Sequence, residues 1–329
     1  MSLCGVYVIA LKILGCGVVK MVKFGVIADL HGEEHLKQIV AALKDADVAG
    51  VILNGDMVPR SGSGIEQVLL EARKIDKPLY VMPGSHEKKA EYSEVMDRLT
   101  QEHSVFIDML KKRKVEAAGM KLVSLPGSYS RSAETPEEEM FALNPEEIAK
   151  LKEIIDEPDK TILVTHDPPL GINDLARIEV KDGMLKPAWN GPTGWGKYHE
   201  IKNGIKELTD VIYEKGVRFG VTGHIHEAGF PDGTQGVTIN LNEIAEINAE
   251  KQVSPDDPKF GAIQAYLLNS YSNRLNHVKY SIPAKVGSGI PARTMFLNPG
   301  PAELGFYGIL EIQNNGETAS YESKRVTKE

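Results

Sequence analysis

The sequence predicts an α/β fold built around a parallel sheet, and two observations predict it. One unit recurs three times before Glu91: an apolar run, a polar ending, then a stretch with helical spacing. Units of this size join parallel strands through right-handed crossovers. The pattern returns near Thr161 and again near Val217, so a single α/β design spans most of the chain.

Taken in order, Phe24 to His31 opens with a strand-like run that ends in Asp29 and His31. In extended backbone, residues two apart share a side, so this pair is expected to reach one point past the strand end. Two polar residues at an ordinary turn would look the same. From Glu33 to Asp45, Leu36, Ile39, Val40 and Leu43 stand at helical spacing. Val48 to Leu53 is a second strand, ending in Asn54-Gly55-Asp56, and Ile65 to Lys74 a second helix. Pro78 to Met82 is a third strand, ending in Pro83-Gly84-Ser85-His86-Glu87.

Glu91 to Gln101 should be helical, followed by strands at Ser104 to Met109 and Met120 to Leu125. The basic run Lys111 to Lys114 reads as a solvated connection, although a targeting or nucleic-acid patch has the same composition. Pro136 to Leu143 reads as acidic loop, and Pro145 to Asp156 as a helix opened by proline. Thr161 to Thr165 is a strand ending in His166. The stretch 167–200 is rich in Gly and Pro, lacks a clear period and holds both tryptophans, so it is expected to be one long loop acting as a lid, a stacking platform or a pinned connection. Ile205 to Lys215 is a helix, and Val217 to Thr222 a strand ending in Gly223-His224-Ile225-His226. The segment 231–291 has no assignable architecture, and Arg293 to Leu297 with Phe306 to Ile312 reads as a closing hairpin.

Composition narrows the function. A net charge of −8 argues against general affinity for nucleic acid, which requires clustered Lys and Arg. Two cysteines, Cys4 and Cys16, make no disulfide framework, so a reducing, cytoplasmic setting is expected. Residues 1–20 are apolar, with Lys12 and Lys20 their only charges. No positive charge precedes the apolar core, as a secretory signal needs, and Lys12 interrupts a segment already short for a membrane span. A start at Met21 or a loose extension is therefore expected, with membrane association through residues 1–20 as the alternative. A single domain over residues 21–329, carrying an insertion at 231–291, follows.

Five strand-like runs end in metal-binding chemistry: Asp29 with His31, Asp56, Ser85 with His86, His166, and His224 with His226. Carboxyl ends of parallel strands share an edge, so these residues should converge although they are far apart in the chain. Five of the nine histidines lie there, which a scatter of structural histidines does not produce. Imidazole and carboxylate donors suit Mn, Fe, Zn or similar ions rather than calcium. They are too many for one four-coordinate ion, and two ions about 3.5–4 Å apart would use them as a clamp for displacement at phosphorus.

These blocks, Asp29-Leu-His31, Gly55-Asp56, Gly84-Ser85-His86-Glu87, His166 and Gly223-His224-Ile225-His226, closely resemble those of the calcineurin-like metallophosphoesterase superfamily. Asn298-Pro299-Gly300 resembles the tripeptide before its last strands. The resemblance implies two packed mixed β-sheets flanked by helices, an α/β (α+β) sandwich. It implies that Asp29, His31 and His226 hold a first ion, that Asp56 bridges, and that His166 and His224 hold a second. It also implies two divalent transition-metal ions (Mn first, or Fe, Zn or Ni) and in-line attack of a metal-bound hydroxide on a small phosphate monoester or diester. His86 is then expected to assist the leaving oxygen or to orient the phosphate. One departure stands out: Ser85 replaces the family's ligating asparagine, and its neutral hydroxyl is a weaker donor to the second ion. A nuclease on the same centre, or a scaffold with a degraded second site, are the competing readings.

Overall fold

The computed structural model describes residues 21–59, 63–129, 140–170, 173, 175–181, 184–187, 198–202, 204–226, 295–313 and 319–326. Residues 1–20, both tryptophans and the segment 231–291 lie outside these.

The first sheet contains β1 (Met21–Ile27), β2 (Gly50–Asn54), β3 (Leu79–Met82) and β4 (Phe106–Asp108), extended by β13 (Phe306–Gln313) and β14 (Ala319–Arg325). Its order is β14-β13-β1-β2-β3-β4. β1 to β4 run parallel, and β13 is antiparallel to both β1 and β14. The second sheet holds β5 (Lys114–Ala117), β6 (Met120–Leu125), β7 (Thr161–Thr165), β11 (Phe219–Val221) and β12 (Met295–Leu297), in the order β12-β11-β7-β6-β5. Here β12, β11, β7 and β6 are parallel and β5 is antiparallel.

The two sheets pack face to face. Phe24, Val26, Ile52, Tyr80 and Met82 of the first meet Leu122, Ile162, Val164, Phe219 and Leu297 of the second. Alternate residues point outward: Val51, Leu53, Leu79 and Val81 pack under α1 (Leu36–Asp45), α2 (Ile65–Ala72) and α3 (Lys89–Glu102). Val123, Leu125 and Leu163 pack under α4 (Pro145–Ile154) and α5 (Lys206–Lys215). Strands apolar on both faces are what a sheet covered on both sides requires. The predicted two-sheet α/β sandwich is present.

The helices bury the predicted stripes. Leu36, Ile39, Val40 and Leu43 face the core in α1. Asn144 caps α4 by accepting from the Glu147 N–H at 2.9 Å, with proline at the first turn, and Gly216 ends α5 with φ 74°.

Three expectations are corrected. The stretch 167–200 is not one structureless loop: β8 (Leu175–Lys181), β9 (Met184–Pro187) and β10 (Tyr198–Lys202) form an antiparallel sheet in the order β10-β8-β9. Its sequence signal, the alternation Ala176, Ile178, Val180, is masked by neighbouring Gly and Pro. The closing hairpin is not formed by the strands before and after Asn298. Met295–Leu297 joins the second sheet, whereas Phe306–Gln313 joins the first and makes its hairpin with β14. β14 is short of apolar residues because it is an edge strand, which charge protects from further pairing. Finally, the solvated connection read over Lys111 to Lys114 ends one residue earlier, because Lys114 opens β5. Its ammonium pairs with Asp156 at 3.0 Å, and Arg113 pairs with Glu147 at 2.8 Å, so these two cations of the run are paired within the fold. Among the described residues no helix is long and apolar enough to cross a membrane.

Candidate functional site

The loops that follow β1, β2 and β3 in the first sheet meet those that follow β7 and β11 in the second. Asp29 N–H donates to Gly55 O at 3.2 Å and His31 N–H to Asp56 O at 2.9 Å, which locks the first two loops together. His224 N–H donates to Asp29 Oδ1 at 2.9 Å and joins the sheets. Every candidate residue expected from the sequence, Asp29, His31, Asp56, Ser85, His86, His166, His224 and His226, lies in this one cluster. Three overlapping groups have ligand atoms within 4.8 Å of one another: Asp29, His31 and His226; His31, Asp56 and His86; Asp56, His166 and His224.

The local reason differs from the expected one. β1 ends at Ile27, and Asp29 and His31 are not extended: their φ angles are 53° and 48°. Asp56 at 50° and His224 at 64° are left-handed as well. Four candidate ligands thus occupy a conformation that costs a non-glycine residue on the order of 1–3 kcal/mol and persists only where its surroundings enforce it. Tight turns, rather than strand alternation, bring Asp29 and His31 together. The glycines of the motifs admit these turns. A Cβ on Gly55 would lie 2.6 Å from His166 Nδ1, and one on Gly84 2.6 Å from Asp56 Oδ1.

Asp56 is the hub. Its Oδ1 accepts from Ser85 N–H at 2.6 Å, His86 N–H at 2.9 Å and Ser85 Oγ at 3.0 Å, while Ser85 Oγ lies 2.8 Å from Oδ2. His166 Nδ1 lies 2.9 Å from Asn54 O, which only accepts, so Nδ1 carries the proton. The other nitrogen, Nε2, then faces Asp56 Oδ2 at 3.1 Å without a hydrogen bond, and Asp29 Oδ2 is also buried without a partner. His226 repeats the arrangement, with Nδ1 3.3 Å from Glu303 Oε1 and Nε2 3.5 Å from Asp29 Oδ1. An imidazole lone pair aimed at a carboxylate calls for a cation between them, so the donor set fits metal ions.

In the absence of an ion, the electrostatics of the site favour a proton in that place. Burial alone would lower the His166 imidazolium, but Asp56, Asp29 and Asp167 hold it well above its ordinary value. Burial likewise opposes the charge on His226, and Asp29 with Glu303 pushes it up to about 10. Burial would raise the Asp56 carboxyl, yet His166, His86 and His31 hold it well below the usual range. Asp29 is lowered too, burial being outweighed by His226 and His166. Burial depresses His31, against the pull of Asp56.

His86 lies in the same layer. Its Nδ1 is 3.2 Å from His31 Nδ1 and 3.3 Å from Val58 O, and its Nε2 is 3.7 Å from Asp56 Oδ2.

Supporting residues emerge that motif reading did not assign. Glu87 is buried and accepts from the N–H groups of Met57 at 2.6 Å, Gly84 at 2.7 Å and Asp56 at 3.2 Å, cinching two loops. Burial and the Asp56 charge raise its carboxyl to about 7 in spite of these donors. A longer bond from Val58 N–H at 3.4 Å adds a fourth donor, so Glu87→Ala strands four buried N–H groups and should cost about 2–4 kcal/mol in urea unfolding, with Glu87→Gln losing less because one acceptor oxygen remains. Asp167 accepts from Ser128 Oγ and Tyr129 N–H, both at 2.6 Å, and lies 3.9 Å from His224 Nδ1. Asn298 Nδ2 donates to Ile225 O at 3.0 Å and braces the His224–His226 loop. Asp167 stood beside a quoted motif and Asn298 opened one without an assigned task, whereas nothing in the sequence marked Glu303.

No curated protein matches the chain. Among solved structures, the protein TT1561 of Thermus thermophilus superposes with a TM-score of 0.53 at 12% identity, over 94% of this chain and 100% of that one, which is a likeness of fold. A dimetal phosphatase of Danio rerio gives a TM-score of 0.44 at 11% identity, over 93% and 99% of the two chains. The family model described as calcineurin-like phosphoesterase matches residues 22–228, which takes in every candidate residue, and the chain of 329 residues therefore belongs to that family.

Proposed function

We propose that the protein is a two-metal phosphoesterase acting on a small phosphate ester. The observation that carries this reading is the sharing of Asp56: it belongs to one group with His31 and His86 and to another with His166 and His224, while His31 links the first of these to Asp29 and His226. Asp29, His31 and His226 would hold one divalent ion, His166 and His224 the other, and Asp56 would bridge. Bound there, two divalent ions would acidify a water and neutralise phosphate charge.

The chain's own residues supply the rest. Buried Asp29 and Asp56 bring two negative charges, so the loaded centre keeps a net attraction for phosphate. Turns held by Glu87 and by backbone hydrogen bonds keep the ligands in place before substrate arrives. His86, tied by its N–H to Asp56 and with about a tenth of its side chain still exposed, is placed to meet a phosphate oxygen or the leaving group.

Ser85 donates its hydroxyl hydrogen to Asp56, so it supports the bridge more than it supplies a charge-bearing ligand of its own. Ser85→Asn places an amide oxygen in reach of the second ion and should tighten it. Titration of Mn²⁺ into metal-free wild type and variant checks this, and equal or weaker binding in the variant overturns it.

The reaction is tested by measuring metal content alongside hydrolysis of p-nitrophenyl phosphate and bis(p-nitrophenyl) phosphate. Metal-loaded protein inert toward both esters would sink the proposal. Cleavage of single-stranded DNA in place of both would move the reading to a nuclease.

A further inference from the structure

We infer that Glu303 is a positioning residue for His226, acting from outside the part of the chain that the family model covers. The inference rests on the two-metal reading and adds to it the group that sets the strength of one ion site.

Three sets of contacts carry it. His226 lies between two carboxylates, with Asp29 Oδ1 3.5 Å from Nε2 and Glu303 Oε1 3.3 Å from Nδ1. A carboxylate at neutral pH only accepts, so Glu303 holds the proton on Nδ1 and leaves the Nε2 lone pair toward Asp29 and His31. Partners of this kind fix the ring orientation and raise the basicity of a ligating histidine.

The carboxylate is also built into place. Ala302 N–H donates to Ala28 O at 2.9 Å and Glu303 N–H to Asp29 O at 3.2 Å, so the turn that bears Glu303 is docked on the backbone that bears Asp29. The imidazole of His35 lies with Nδ1 2.7 Å from Glu303 O. In the same segment Asn298 donates to Ile225 O at 3.0 Å. One stretch near the C-terminus thus fixes both the backbone beside His226 and the tautomer of its ring. The Glu303 side chain keeps 25% of its surface exposed, so its pairing with His226 is not a by-product of complete burial.

The test uses the full chain as wild type, Glu303→Ala and Glu303→Gln, stripped of metal and titrated with Mn²⁺ by calorimetry and with Co²⁺ by visible absorption. Removal of such a partner typically weakens a site by about 10–100-fold. Glu303→Ala should therefore weaken one of two ions by that factor, leave the other unchanged and alter the Co²⁺ ligand-field bands of the weakened site. Glu303→Gln, whose amide oxygen still accepts from Nδ1–H, should recover part of the affinity. Unchanged affinities and spectra in Glu303→Ala overturn the inference, and so does equal weakening of both ions. If Glu303→Ala does not fold, Glu303→Gln decides: wild-type affinity with unaltered bands overturns the inference, and a selective loss at one ion supports it. A wild type that binds no ion overturns the two-metal reading itself, a result distinct from one in which two ions bind and Glu303 has no effect.

Discussion

Replacing Asp56 by asparagine is expected to lower phosphoesterase turnover by roughly 10²–10⁴-fold, because charge stabilisation of several kcal/mol is lost at about 1.36 kcal/mol per decade. The substitution preserves size and one acceptor oxygen, so the N–H groups of Ser85 and His86 keep a partner and the loops should hold. What disappears is the negative charge shared by two ligand groups. His166 would respond as well: without Asp56 the largest influence raising its imidazolium is gone, and burial then favours the neutral ring. Metal content, the rate on p-nitrophenyl phosphate and far-ultraviolet circular dichroism of the variant check the prediction. Near-normal turnover with a normal spectrum would remove Asp56 from the hub of the site.

Metal removal should act on activity and on stability together. Chelation is expected to abolish hydrolysis and, where free metal had stood at about 1,000 times its dissociation constant, to lower stability by about 4 kcal/mol for each ion removed. The metal-free protein should then show a distinct pH dependence. The carboxyls of Asp29 and Asp56 are lowered on folding, so their contribution is present above the ordinary carboxylate value of 3.8 and is lost as pH falls through the lowered values. His226 is raised, so its contribution is full below the ordinary 6.5 and is lost as pH rises toward about 10. Metal-free stability should therefore peak between these limits and fall on either side. Metal binding near pH 8 should release protons from His166 and His226, which must give up a proton to ligate. Calorimetry in buffers of different ionisation enthalpy reads that release directly. Binding without proton release would show that these rings are already neutral in the metal-free state.

The candidate site was legible to an unusual degree because its chemistry sits on short motifs. Asp29-Leu-His31, Gly55-Asp56, Gly84-Ser85-His86-Glu87, His166 and Gly223-His224-Ile225-His226 each follow an apolar run, and parallel topology brings such strand ends to one edge. The local geometry of Asp29 and His31 is nevertheless not the one their spacing suggests. Alternation along a strand is a sequence-level rule, whereas the left-handed turn at both residues is imposed by bonds to Gly55 and Asp56 from another loop.

Glu303 was illegible for a related reason. It lies far along the chain from His226 and belongs to no motif, so only the docking of residues 302–303 on Ala28 and Asp29 brings its carboxylate to the imidazole. Glu87 was visible as a letter in a motif, but its task of gathering four N–H groups was not.

The same division holds for the fold. By itself the sequence determined the apolar strands, the helical stripes and the candidate site residues, because burial on both faces of a strand and on one face of a helix writes a short-range pattern into the residues and the motifs close those runs. Only the tertiary structure decided which sheet each late strand joins. Met295–Leu297 and Phe306–Gln313 are both apolar strand-like runs, and nothing local separates them. Long-range pairing sends the first to Phe219–Val221 and the second to Met21–Ile27, so Asn298-Pro299-Gly300 crosses between the sheets and carries Glu303 to the centre.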